Sequence, residues 1–224
     1  MPAKRLRHLA WTACLLSGVL LPAAAPRADD VLNRLAAAAP ELDREVLSLA
    51  LAARTCAART RDVGRRLAVI DYSRPSTEVR LWVFDLAQAR LLHAEHVAHG
   101  RGSGGNLPTV FSDVEGSYQS SLGLFATAET YTGQNGYSLR LDGLEPGING
   151  RARERLIVMH GADYVDPDQA RRQGRLGRSW GCPAVRTAVA RAVIDALKDG
   201  QLLFAYADDP GWRQGSALLH CPAR

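Results

Sequence analysis

Two residues of this 224-residue chain stand out as a pair that can do chemistry. Cys182 sits in the run Gly177-Arg178-Ser179-Trp180-Gly181-Cys182-Pro183, and His160-Gly161 follows the apolar segment Leu156-Ile157-Val158-Met159 upstream. A thiol is a useful nucleophile near neutrality when its pKa is lowered or a base stands within reach. The glycine before Cys182 leaves backbone N–H groups open to a substrate carbonyl. Arg178 adds positive charge that favours thiolate, and His160 is the best-placed base. The competing reading is packing, since a buried cysteine after a glycine is common in cores.

Other candidates are weaker. His93, His96 and His99 recur every third residue, but on a strand that spacing puts His96 on the face opposite the other two. His93 and His96 are expected on an exposed strand, and His99, next to Gly100, either lies beside the cleft or shares their strand setting. A zinc site needs three or four ligands, and His160 with Cys182 finds no clear third, so neither a metal nor a cofactor is expected. Ser120 and Ser121 either line a groove or satisfy a turn. Tyr164 and Trp180 are candidate groove aromatics, with plain packing as the alternative.

The pair needs a frame, and the periodicity supplies one. From Asp29 to about Thr60 the pattern is helical, broken at Pro40, with Leu42, Val46, Leu49, Ala53 and Cys56 forming an apolar stripe. After Gly64 the period becomes two. Strands are expected at 67–70, 79–84, 91–97, 122–126, 137–141, 156–159 and 201–206. Thr187 is expected to cap a helix that ends at Gly200. The stretch 100–121, rich in Gly, Ser and Asn, reads as a long loop, and loops of that length are more often functional than decorative.

The amino terminus reads as a secretory leader. Lys4, Arg5 and Arg7 precede an apolar run from Leu9 to Leu21, followed by Pro22-Ala23-Ala24-Ala25. Cleavage is expected near Ala25, with Ala28 or an uncleaved anchor as alternatives. The run is short for a membrane span, and no second one follows. Loss of residues 1–25 lowers the net charge from +5 to +2, which removes most of the case for an acidic polymer as partner. With aromatics at only 6%, nucleic acid is not an expected partner either. Export implies an oxidising compartment, and Cys14 leaves with the leader. Cys56 and Cys221 are then expected to be disulfide-bonded or buried, with Cys182 as the accessible thiol. The layout is a leader (1–25), a helical extension (26–62), a β-rich α+β domain (63–208) and a tail (209–224).

His160-Gly161 followed by Ser179-x-Gly181-Cys182 resembles the signature of L,D-transpeptidase (YkuD-type) catalytic domains. The blocks VAHGRGSGG, FSDVEGSYQSSLGLF, ETYTGQNGYSLRLDGLEPG, VMHGADYV and GRSWGCPAV resemble one subfamily, the murein L,D-transpeptidase catalytic domain family. The resemblance covers about residues 67–206. It implies a β-sandwich or mixed sheet, a helix after the cysteine, and an exported acyltransferase of the periplasm or cell envelope acting on peptidoglycan tetrapeptide stems. By the resemblance, Cys182 attacks the carbonyl of the third stem residue and releases terminal D-Ala. His160 acts as base, and the carbonyl of Gly161 completes the site. The N–H groups around Gly181 and Cys182 hold the oxyanion, worth about 3 kcal/mol in comparable sites, with Ser179 and Arg178 in support. A stem amine gives a cross-link, a protein lysine an anchored protein, and water an L,D-carboxypeptidase.

Two departures matter. Trp180 stands where the broader family has histidine, and Ala184 where it has arginine, Arg186 following two residues later. The groups that bind the stem are therefore open, with Trp180, Tyr164, His99, Ser121 and Arg186 as candidates. A peptidoglycan-binding protein that has lost turnover, or an unrelated exported cysteine hydrolase, are the competing readings.

Overall fold

The computed structural model describes residues 28–222. The expected leader and its cleavage near Ala25 lie outside them. Helices α1 (Ala28–Ala38) and α2 (Arg44–Ala57) flank Pro40, and the Asp43 carboxylate caps α2 by accepting from Glu45 N–H at 2.6 Å. The buried face of α2 is broader than the expected stripe. Val46 and Ala53 belong to it, but so do Leu47, Ala50 and Ala57, because α2 packs against both α1 and the sheet. Cys56, at the edge of that face, is bonded to Cys221.

Eight strands form one mixed sheet, so of the two expected arrangements the chain adopts the mixed sheet rather than the sandwich. They are β1 (Arg66–Asp71), β2 (Leu81–Asp85), β3 (Arg90–Glu95), β4 (Gly123–Gly133), β5 (Gly136–Gly143), β6 (Val158–Gly161), β7 (Ala184–Val185) and β8 (Leu202–Tyr206). Their order is β3-β2-β1-β8-β4-β5-β6-β7. The central β1–β8 pair and the β6–β7 pair are parallel, and the other neighbours are antiparallel. Residues 67–71, 81–85 and 202–206 are buried throughout. Burial on both faces explains why these strands read as unbroken apolar runs.

Two local expectations are corrected. The strand carrying His160 starts at Val158, not Leu156, because Leu156 has φ +55° and turns its side chain, 67% exposed, out of the sheet. Thr187 is the first residue of helix α4 (Thr187–Leu197) rather than its cap, and its hydroxyl donates to Asp163 at 2.7 Å. The tail is part of the core. Helix α5 (Pro210–Gly215) buries Trp212, with its ring 5.7 Å from those of both Phe204 and Tyr206. Helix α3 (Pro167–Gln173) lies between β6 and β7 in the chain. One apolar cluster runs through α1, α2, the sheet, α4 and α5.

Candidate functional site

The turn that carries Cys182 is shaped by its own serine. Ser179 Oγ accepts Gly181 N–H at 3.1 Å and donates to the Cys182 carbonyl at 2.6 Å. Gly181 has φ +125°, and a Cβ there would stand 2.9 Å from the Gln119 carbonyl oxygen and 3.0 Å from Ile157 Cδ1. Glycine is required both by the conformation and by the crowding. Ser120 Oγ ties this turn to the long loop, donating to the Gly181 carbonyl at 3.1 Å and accepting Gly100 N–H at 3.0 Å. Gly181 N–H is thus engaged with Ser179. Cys182 N–H makes no hydrogen bond to another described residue and lies toward its own thiol.

The half-buried thiol donates to the Leu156 carbonyl at 3.7 Å and accepts Val158 N–H at 3.4 Å. Burial pushes the thiol above its ordinary pKa, while Val158 N–H and the Arg155 cation work in the opposite direction. His160 lies at the end of β6, between Ser138 of β5 and Ala184 of β7. Its Nδ1 is 3.0 Å from the Gly161 carbonyl oxygen. A carbonyl only accepts, so Nδ1 carries the proton and Nε2 is left with a lone pair. Burial lowers the imidazole pKa, outweighing the pull of that hydrogen bond, and the ring is neutral near pH 7. Among the described residues no hydrogen bond joins Sγ to the imidazole.

The cation that acts on the thiol belongs to a residue that does not stand out in the sequence. Arg155 lies beneath the turn, with Nη2 3.6 Å from the position a Gly181 Cβ would take. It donates to the carbonyls of Ser112 and Gln119 at 2.7 Å each and to Ser121 Oγ, and pairs with Asp113 at 3.6 Å. Arg155 therefore fastens the 112–121 loop under the cysteine. Arg178, expected to favour the thiolate, instead donates to the carbonyls of Gly104 at 2.6 Å and Arg101 at 3.4 Å.

Several expected substrate contacts sit elsewhere. His99 is fully buried, so it does not reach a substrate. Its Nδ1 accepts from Arg80 at 2.8 Å, and burial, then Arg80, pull its pKa down to about 3. Arg80 is itself buried, with no carboxylate in ion-pair contact among the described residues. It donates to the carbonyls of Val97 and Arg74 and lies 5.2 Å from the Tyr72 ring centre. Ser121 donates to the Ser112 carbonyl at 2.8 Å and serves the loop. Arg186 is held by both oxygens of Glu95 at 2.8 Å and is not free for a stem carboxylate. Tyr164 stays near the cysteine: its side chain and carbonyl pack on Gly177, and burial, then the proximity of the Cys182 thiol, raise the pKa of its phenol. His93 and His96 are half-buried rather than exposed, and His96 Nε2 lies 3.2 Å from the Thr77 carbonyl oxygen. Among the described residues no three His, Cys, Asp or Glu side chains cluster as metal ligands would.

Trp180 is 69% exposed. Its ring centre is 5.8 Å from that of Tyr118, and Arg101 Cζ lies 4.1 Å from the Tyr118 ring centre and 5.7 Å from that of Trp180. Neither Arg101 nor Tyr118 stood out in the sequence. They become neighbours of the cysteine only because Gly100 bridges to Ser179 and Arg101 N–H donates to the Ser179 carbonyl at 2.8 Å.

A fold in which a mixed sheet delivers a histidine beside a cysteine turn has a known family. The model of the L,D-transpeptidase catalytic domain matches residues 38–206, and the chain belongs to that family. No curated protein matches the sequence. Similar solved structures include an L,D-transpeptidase from Mycobacterium smegmatis, at 13% identity over 64% of this chain and 59% of that one, with a TM-score of 0.39. L,D-transpeptidase 3 from Mycobacterium tuberculosis is similar at 12% identity over 63% and 61%, with a TM-score of 0.40. An L,D-transpeptidase from Xylanimonas cellulosilytica is similar at 16% identity over 65% and 62%, with a TM-score of 0.36. The chain spans about three fifths of the length of these structures.

Proposed function

We propose that this chain is an exported cysteine acyltransferase acting on peptidoglycan stem peptides, an L,D-transpeptidase or L,D-carboxypeptidase working through a Cys182 acyl-enzyme. Family membership supports the class. The observation that carries the reading is the hydrogen bond between His160 Nδ1 and the Gly161 carbonyl, which leaves Nε2 as a base on the strand adjoining the cysteine turn.

In this mechanism Nε2 takes the Sγ proton as the sulfur adds to the carbonyl carbon of the third stem residue. Cys182 N–H meets the charge that develops on the oxygen. The imidazolium returns its proton to the departing nitrogen as the C–N bond breaks, so D-Ala leaves and a thioester remains. An amine or water then adds, giving its proton to His160, and the C–S bond breaks to restore the thiol. Both partners start neutral, since burial raises the thiol and lowers the imidazole. The site therefore works by base catalysis rather than from a resting ion pair.

Export is supported by the leader-like residues 1–25, by the family, and by a disulfide that suits an oxidising compartment. Among the described residues no helix is long and apolar enough to cross a membrane. The catalytic domain at 63–208 is read as one body with the helices before it and the tail after it, since they share a core.

A peptidoglycan-binding protein without turnover is the second reading, favoured by the missing Sγ–imidazole hydrogen bond and by Trp180 at the family's histidine position. Incubation of the mature protein with disaccharide-tetrapeptide, followed by mass spectrometry, separates the two. Free D-Ala with a cross-linked dimer supports transfer, and free D-Ala with tripeptide supports carboxypeptidase action. Equal absence of product from wild type and Cys182→Ala supports the binding reading.

A further inference from the structure

Four arginines surround the Cys182 turn, and three are already engaged. Arg155 is locked into the loop and Asp113, Arg178 into the carbonyls of Gly104 and Arg101, and Arg186 into Glu95. Arg101 differs. Its backbone is fixed beside the turn through the Ser179 carbonyl, yet its exposed guanidinium has no hydrogen-bond acceptor and no ion-pair partner among the described residues. Instead it lies on two exposed rings, 4.1 Å from the centre of Tyr118 and 5.7 Å from that of Trp180. Trp180 is two residues from the thiol and 69% exposed. Tyr118 is held at φ +55°, a conformation disfavoured for an aromatic residue, with its carbonyl accepting Gly102 N–H at 2.9 Å. An oriented, unpartnered cation on a solvent-facing aromatic shelf beside a nucleophile is an arrangement suited to an anionic ligand.

We propose that Arg101, held on Tyr118 and Trp180, is the subsite for the C-terminal carboxylate of the donor peptide, the one borne by the D-Ala on the leaving side of the scissile bond. Stacking occupies the face of the guanidinium and leaves its edge, with its fork of N–H donors, free to take both carboxylate oxygens. The rings form a wall for the apolar part of the same residue. The assignment rests on the reading of Cys182 as the nucleophile.

The first test does not depend on turnover. Cys182 is alkylated with iodoacetate, which carries a carboxylate, and with iodoacetamide, its neutral counterpart. Arg101→Gln is expected to lower the ratio of the two rates about tenfold, and Arg101→Lys to restore it only in part. A ratio unchanged in Arg101→Gln overturns the subsite. The second test compares a tetrapeptide stem with its C-terminal amide. Wild type is expected to prefer the free carboxylate through KM, and Arg101→Gln to lose that preference. An equal preference in both proteins also overturns the subsite. If wild type turns over neither stem, the reaction assigned to the site fails, and the alkylation ratio alone decides for or against Arg101.

Discussion

The thiol and the imidazole are both shifted away from the ion pair by burial, and that has a measurable consequence. Cys182 is expected to be alkylated by iodoacetamide with a midpoint above the ordinary thiol value of about 8.5. Arg155→Met should move the midpoint higher, because it removes the cation that opposes desolvation. A midpoint below neutrality would mean a resting thiolate and would contradict base catalysis. His99 gives a second signature. Its pKa is depressed in the fold, so its contribution to stability is complete above about pH 6.5 and is lost as the pH falls toward 3. Across that window the contribution has a slope of about 1.4 kcal/mol per pH unit. His99→Gln keeps an acceptor for Arg80 without a titrating group, and urea unfolding of that variant should show a flatter pH dependence than wild type between about pH 6 and pH 4. Equal slopes would refute the buried neutral histidine.

At the scale of elements, the site is three segments pressed together: the Ser179–Pro183 turn, strand β6 and the loop from Gly100 to Ser121. Gly181 is where they meet. Gly181→Ala puts a methyl group against the Gln119 backbone and forces a residue with a side chain to φ +125°. A stability loss of about 1–3 kcal/mol is expected, together with slower acylation; thermal unfolding and alkylation kinetics measure the two, and an unchanged variant would show that the turn is looser than described. Much of this level was legible in the sequence, because alternating and unbroken apolar runs expose strands wherever one or both faces are covered. The errors have physical reasons. Leu156 continues an apolar run but turns outward at positive φ, so composition placed the start of β6 two residues early. Arg155 ends a charged run, Arg151-Ala152-Arg153-Glu154-Arg155, that looks like solvated surface; what buries it is a loop thirty-odd residues away, which no local pattern reports. His99 and Arg186 looked available because their partners, Arg80 and Glu95, come from β2's approach and from β3.

The molecule as a whole is closed by its ends. Helix α2 and the segment after α5 are joined by Cys56–Cys221 across a separation of 165 residues, and Trp212 carries the tail into the core. Cross-linking so long a loop restricts the unfolded chain strongly, so Cys56→Ser with Cys221→Ser is expected to lose about 2–5 kcal/mol. Native labelling of Cys182 should stay the same, because its turn is built from other segments. Denaturant titration with and without reductant checks the first expectation, and faster Cys182 labelling in the double variant would contradict the second. The sequence left Cys56 and Cys221 either paired or buried, and the structure pairs them; the packing of helices and tail into one core emerges only in three dimensions.

In the proposed reaction Cys182 carries the stem as a thioester while D-Ala departs. Intact-protein mass spectrometry of wild type, His160→Ala and Cys182→Ala, each quenched in acid after brief exposure to disaccharide-tetrapeptide, tests it most directly. Wild type should gain the mass of the donor less D-Ala, His160→Ala should acylate far more slowly, and Cys182→Ala should gain nothing and release no D-Ala. Release of D-Ala by Cys182→Ala, or neither adduct nor release with wild type, would contradict the account.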